Sequence, residues 1–212
     1  MEQYIKDCSI ISYLAYDNLW KSSKKLSDKD DYGNLLKEQG WRYYIDSLKL
    51  KIGDNEGYYG VAFIHRNKKL IVISHRGTVG HAENYRADIE LSQRTIPYMF
   101  YTALIFSSKV HHKIAKEQEK GWQIIHTGHS LGGSLAILCA AYAYNYPRAS
   151  LAIAFDNPGT KTAIQSLLQT ITQSDEEEIE QIAENLNIIN CLTTPNIINT
   201  TDQHVGRILQ LP

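Results

Sequence analysis

The pentapeptide Gly128-His129-Ser130-Leu131-Gly132 constrains this chain more than any other feature. A short run with strand character, Trp122 to Thr127, leads into it, and an apolar run with helical character, Leu131 to Asn145, leads out. A strand that passes into a helix within two or three residues must turn sharply, and glycines on both sides of Ser130 remove the side chains that would collide there. The remaining pattern extends the same architecture. Strands are expected at Ala149 to Phe155 and Ile188 to Leu192, with a helix at 162–168 between them. A second helix should begin at Ser174, where Ser174 and Glu177 have capping-box spacing. Asp175-Glu-Glu-Glu then reads as its solvated first turn, complementing the helix dipole. Upstream, Tyr58 to His65 and Leu70 to Ser74 read as paired strands and Tyr98 to Lys120 as a helix stopped by Gly121. Helices are expected at 5–20 and 84–92, a polar connection at 21–31, and either helix or strand at 41–52. The expected fold class is α/β: a mostly parallel central sheet with helices on both faces.

The chain has 212 residues, 43% hydrophobic and 21% charged, enough for one domain over 1–212 with a sizeable core. With a formal net charge of -1, no general electrostatic affinity for nucleic acid is expected. Cys8, Cys139 and Cys191 form neither a disulfide framework nor a zinc pattern; Cys139 and Cys191, in apolar runs, read as buried thiols, and a reducing compartment is expected. The N-terminus has no signal-peptide pattern, and the longest apolar stretch, 131–144, is too short to span a bilayer. The expected location is cytoplasmic, or outside the cell by a route without a cleavable signal peptide.

A strand–turn–helix unit of this kind belongs to the α/β-hydrolase fold, in which the turn carries a nucleophile and the partner acid and histidine follow it in that order. Only one of the eight histidines, His204, follows Ser130. His204 is therefore the candidate base, in the polar segment Asp202-Gln-His-Val-Gly. His129 points away from the serine on such a turn and is expected to be structural. Asp156 is the favoured acid, because it ends the apolar strand Leu151 to Phe155 at the edge of the sheet where sites of this architecture lie. Asp202 is the alternative, and an amide or hydroxyl within 193–199 a third choice. The oxyanion hole needs two donors. The Leu131 backbone N–H follows the nucleophile, and Thr78, in Ser74-His-Arg-Gly-Thr after an earlier strand, fits the second place. Arg76 is expected to brace that loop.

Ile73-Ser-His-Arg-Gly-Thr78, Asn84-Tyr-Arg-Ala-Asp88 and Gly128-His-Ser-Leu-Gly-Gly-Ser-Leu-Ala136 together resemble the class 3 lipase family. The resemblance covers about residues 58–160. It implies hydrolysis of carboxylic esters, with lipid or small esters as partners, neither metal nor cofactor, and transient contact with a membrane surface. It assigns Ser130 as nucleophile and Thr78 as an oxyanion donor. The family usually carries its acid in a segment resembling Asn-x-x-Asp-x-Val-Pro. Here the corresponding Asn190-Cys-Leu-Thr-Thr-Pro195 has no carboxylate, whereas Phe155-Asp-Asn-Pro158 resembles the acid segment of pancreatic-type lipases. Pro97 to Tyr101 is a candidate rim for an acyl pocket, and the short polar Val79 to Glu83 favours soluble or short-chain esters. The chain ends eight residues after His204, compatible with one domain of a longer protein. A phospholipase or acyltransferase is the nearest rival activity. A non-catalytic scaffold that kept the fold is the rival from another class.

Overall fold

The computed structural model describes residues 1–16, 31–53, 57–77, 96–97, 99–117, 121–145, 150–196 and 198–211. Within them, α1 (Glu2–Tyr16) and α2 (Asp31–Glu38) precede β1 (Arg42–Asp46), β2 (Gly60–His65) and β3 (Leu70–His75). Then follow α3 (Met99–Ala115), β4 (Gln123–His129), α4 (Leu131–Tyr142), β5 (Leu151–Phe155), α5 (Lys161–Thr172), α6 (Glu176–Glu184), β6 (Ile188–Leu192) and β7 (Arg207–Gln210). The seven strands pair in chain order, β1 to β7. The first two pairings are antiparallel, and β3 through β7 are parallel. Parallel strands added in one direction by right-handed crossovers put their connecting helices on a single face. Helices α3 to α6 share one core layer, which includes Phe100, Phe106, Leu135, Ile137 and Leu167. The opposite face is covered by α1 and α2, through Cys8, Ile11, Leu14 and Leu36.

Helix α4 is buried from Leu131 to Ala141. An apolar surface all round suits a helix enclosed by the sheet and by neighbouring helices, and explains why it has no polar stripe. On the other face, α1 is fixed by polar ties. Asp7 accepts from Trp41 Nε1 at 2.9 Å and from Gln3 Nε2 at 2.7 Å, and Ser12 Oγ lies 3.0 Å from Thr127 Oγ1 on β4. All three cysteines are buried and free. No helix among the described residues is long and apolar enough to cross a membrane.

One open alternative is resolved and two expectations change. The ambiguous 41–52 segment contains a strand, β1, on the sheet edge. A further strand, β7, follows β6, where the sequence pattern closes one strand earlier. The cap of α6 is Asp175, whose carboxylate accepts from Glu178 N at 2.9 Å, and not Ser174. The aromatic cluster at 97–101 divides: Phe100 is core, whereas Tyr101 is 61% exposed. The expected helix at 84–92 and the segment 79–83 lie outside the described residues.

Candidate active site

Ser130 occupies the junction between β4 and α4 with φ 56° and ψ -129°. A non-glycine residue there is strained, and such strain persists only where the surroundings over-determine it. They do so here. Ser130 N donates to the Phe155 carbonyl at 2.9 Å, and its own carbonyl accepts from Gly133 N at 2.8 Å and Ser134 N at 3.3 Å. The Leu131 N–H heads the helix, where the first amides have no intrahelical acceptor and the dipole is positive.

The two glycines are required by contact, as the motif implies. A Cβ on Gly128 would overlap the Gly132 backbone, and one on Gly132 would overlap the His75 carbonyl oxygen and stand 2.8 Å from Gly77 N. The chain leaving β3 thus lies directly against the elbow. Gly132→Ala is expected to destabilise the fold by about 1–3 kcal/mol through overpacking, despite alanine's better helix propensity. Denaturant midpoints measure this, and an unchanged or raised stability would contradict the contact. Thr78, the expected second oxyanion donor, lies outside the described residues. Tyr16, at the end of α1, closes the other side. Its hydroxyl donates to the His129 carbonyl at 3.1 Å, lies 3.2 Å from His129 Nδ1, and is the atom a Cβ on Gly77 would strike. Sequence reading did not single out Tyr16. Arg76 lies over the Tyr59 ring at 5.2 Å and donates to the Gly57 carbonyl at 3.3 Å.

Asp156 follows β5 with φ 42°. Its Oδ1 takes three bonds, from Thr193 N and Thr193 Oγ1 at 2.8 Å each and from Asn199 Nδ2 at 3.1 Å. Among the described residues no hydrogen bond reaches its Oδ2. His204 stands across the same loop. Its Nε2 lies 2.8 Å from the Asn199 carbonyl, and its Nδ1 lies 3.3 Å from Asn190 Oδ1. Asn190 Nδ2 donates to the Val205 carbonyl at 2.8 Å, which fixes the amide with its oxygen toward the ring. Asp156 and His204 thus meet through Asn199 and make no direct hydrogen bond. Asn190 opens the stretch that resembles the family's acid segment, but sequence reading singles out neither it nor Asn199 as a partner of the base. Asn199 falls in the 193–199 segment considered for an amide, and Asn190 lies outside it. Asp202 has another use: its Oδ2 accepts from Thr162 N at 3.0 Å in the first turn of α5. The adjacent Gln203 carbonyl accepts from Thr160 N and Lys161 N. These bonds anchor the loop that carries His204, and they make Asp202 a helix-capping residue.

Two further histidines are buried beneath the elbow. Burial pushes His75 down to about 3 and His126 well below its ordinary value. An unfolded chain takes up these protons near 6.5 and the folded chain does not. Stability is therefore full above 6.5 and is lost as pH falls from there toward about 3. Denaturant midpoints should drop between about pH 7 and pH 5, and the drop should shrink in His126→Phe. His75, His126 and Cys139 also form the candidate metal-ligating group among the described residues, with ligand atoms within 4.8 Å of one another.

A strained serine at the carboxyl end of a central parallel strand, followed at once by a buried helix, defines a domain of the α/β-hydrolase class. The family Lipase (class 3) matches residues 72–178, and the chain belongs to that family. An uncharacterized protein of Rickettsia prowazekii (strain Madrid E), RP165, is 30% identical over 161 residues, covering 74% of this chain and 43% of the relative. The chain thus spans less than half the length of that relative. Among solved structures, Yarrowia lipolytica LIP2 lipase superposes with a TM-score of 0.65 at 14% identity, covering 100% of this chain and 79% of the lipase. Lipase II from Rhizopus niveus gives 0.59 at 16% identity, covering 92% and 72%. The triacylglyceride lipase of Rhizomucor miehei gives 0.64 at 13%, also covering 92% and 72%. At these identities the superpositions speak for the fold.

Proposed function

We propose that the domain hydrolyses carboxylic esters, with lipid esters as the substrate class, through Ser130, His204 and Asp156. The observation that carries this reading is the Ser130 backbone, held at φ 56° by bonds to Phe155, Gly133 and Ser134. His204 Nε2 exchanges the Asn199 carbonyl for the serine hydroxyl, takes its proton, and Ser130 Oγ attacks the ester carbonyl. The Leu131 and Thr78 N–H groups hold the oxyanion, each such donor being worth roughly 3–4 kcal/mol in the transition state. His204 then protonates the leaving alcohol, and water releases the acyl group by the same route. Asp156 Oδ2 is the oxygen left to hold the imidazolium. The 3.3 Å approach of Asn190 Oδ1 to His204 Nδ1 favours a second reading, in which an amide orients the base. A fluorophosphonate probe tests the proposal: labelling at Ser130 that is lost in His204→Ala is expected. Folded protein that never labels would leave the non-catalytic scaffold standing.

A further inference from the structure

His75, His126 and Cys139 meet in the core below the elbow, brought together by β3, β4 and α4. Their ligand atoms all lie within 4.8 Å of one another, and each residue is 2% exposed or less. His75 Nε2 and His126 Nδ1 face each other at 3.3 Å, with the ring planes 10° from parallel and the centroids 5.6 Å apart. Two imidazole nitrogens bound at about 2.0 Å to one ion stand roughly 3.3–3.5 Å apart for bond angles of about 109–120°. The strands thus hold the two nitrogens at the spacing of a shared ion. Such an ion sits beside the line between them, on the Cys139 side, and each ring turns by roughly 30° to point at it. His126 and Cys139 also line a cavity of about 330 Å³ between α3 and α4, which gives these side chains room for that turn.

The charge of the ion follows from the surroundings. Among the described residues no carboxylate belongs to the group, and Cys139 shares its apolar core cluster with Ile73, Leu135 and Leu138. A thiol that binds a metal gives up its proton, so the ligand set carries one negative charge. A monovalent ion leaves the site neutral. A divalent ion would leave a net positive charge in the core, which an apolar interior strongly disfavours. One thiolate and two imidazoles are a set that suits copper(I). Held through Nε2, His75 keeps its hydrogen on Nδ1 and donates it to Tyr58 Oη at 2.8 Å, the kind of outer bond that orients a metal-bound imidazole. His126 Nε2 has no hydrogen-bond partner among the described residues, so the ion costs it none.

We propose that His75 Nε2, His126 Nδ1 and Cys139 Sγ bind one copper(I) ion in trigonal coordination. The ion takes the place of the thiol proton, which leaves to solvent, and neither copper nor sulfur changes oxidation state. No step from Ser130 to His204 passes through it, so this site stands apart from the ester chemistry.

Anaerobic titration of the full chain with copper(I), in competition with bicinchoninate, tests the site. Wild type should retain one equivalent, and X-ray absorption of that sample should show two nitrogen ligands and one sulfur. Affinity should fall at least about a hundredfold in Cys139→Ala and about tenfold in Tyr58→Phe, whereas Cys8→Ser and Cys191→Ser should match wild type. The proposal is overturned if bicinchoninate strips all copper from the wild-type protein, or if Cys139→Ala keeps its equivalent. It is overturned equally if zinc ion binds the three residues as tightly as copper(I). The wild-type absorption spectrum decides the matter even where a variant does not fold: a shell of sulfur alone puts the copper on other thiols and ends the proposal.

Discussion

Ser130→Ala is expected to lower ester hydrolysis by roughly a thousandfold or more while leaving the unfolding midpoint close to wild type. Both halves follow from the geometry. The loss of activity follows from removing the hydroxyl that the proposed mechanism uses for attack. Stability is spared because alanine keeps the backbone bonds to Phe155, Gly133 and Ser134 that hold the turn. Ser130→Gly sharpens the test. With φ 56° and ψ -129°, the position is one that glycine occupies without strain, so this variant should be equally inactive and about 1 kcal/mol more stable. A residue kept at an energetic cost that its replacement relieves is the signature of a functional site. Turnover by Ser130→Ala on p-nitrophenyl butyrate at the wild-type rate would sink the nucleophile assignment, and a destabilised Ser130→Gly would sink the strain argument.

The elbow was legible in the sequence because everything that builds it is local: a strand, two glycines and an apolar helix within about twenty residues. The parallel strands were legible for a related reason. Strands buried on both faces appear as continuous apolar runs, such as Leu151–Phe155 and Ile188–Leu192. The edges were not. Strand β1 reads Arg-Tyr-Tyr-Ile-Asp, and β7 reads Arg-Ile-Leu-Gln with three of its four residues exposed. An edge strand pairs on one side only and carries polar residues, so β1 and β7 show no continuous apolar run. The polar architecture was hidden for a different reason, because its partners are distant in sequence. His75 and His126 meet because β3 and β4 pair in register, with Ile73 opposite His126 and His75 opposite Gly128. Tyr16 reaches His129 across 113 residues. Asp156 and Asp202 were equally acidic on paper, and only the α5 first turn shows what Asp202 is for.

The proposed choice of acid rests on which oxygen is already in use. Asp156 Oδ1 alone accepts the bonds of Thr193 and Asn199, so Asp156→Asn can keep the loop braced through its remaining carbonyl oxygen. What it loses is the charge and the second acceptor, which are what an imidazolium needs. We therefore expect Asp156→Asn to fold normally and to lose roughly 10²–10⁴ in kcat, the effect of leaving the base without its ionic partner. Asn190→Ala removes a neutral acceptor at 3.3 Å and should cost no more than about tenfold. The two variants are measured side by side on one short-chain ester, with the pH profile of kcat recorded for each. If Asn190→Ala proves the more damaging, the orienting group is the amide. The carboxylate would then be a brace for the loop that carries His204, and the base would work without a charged partner.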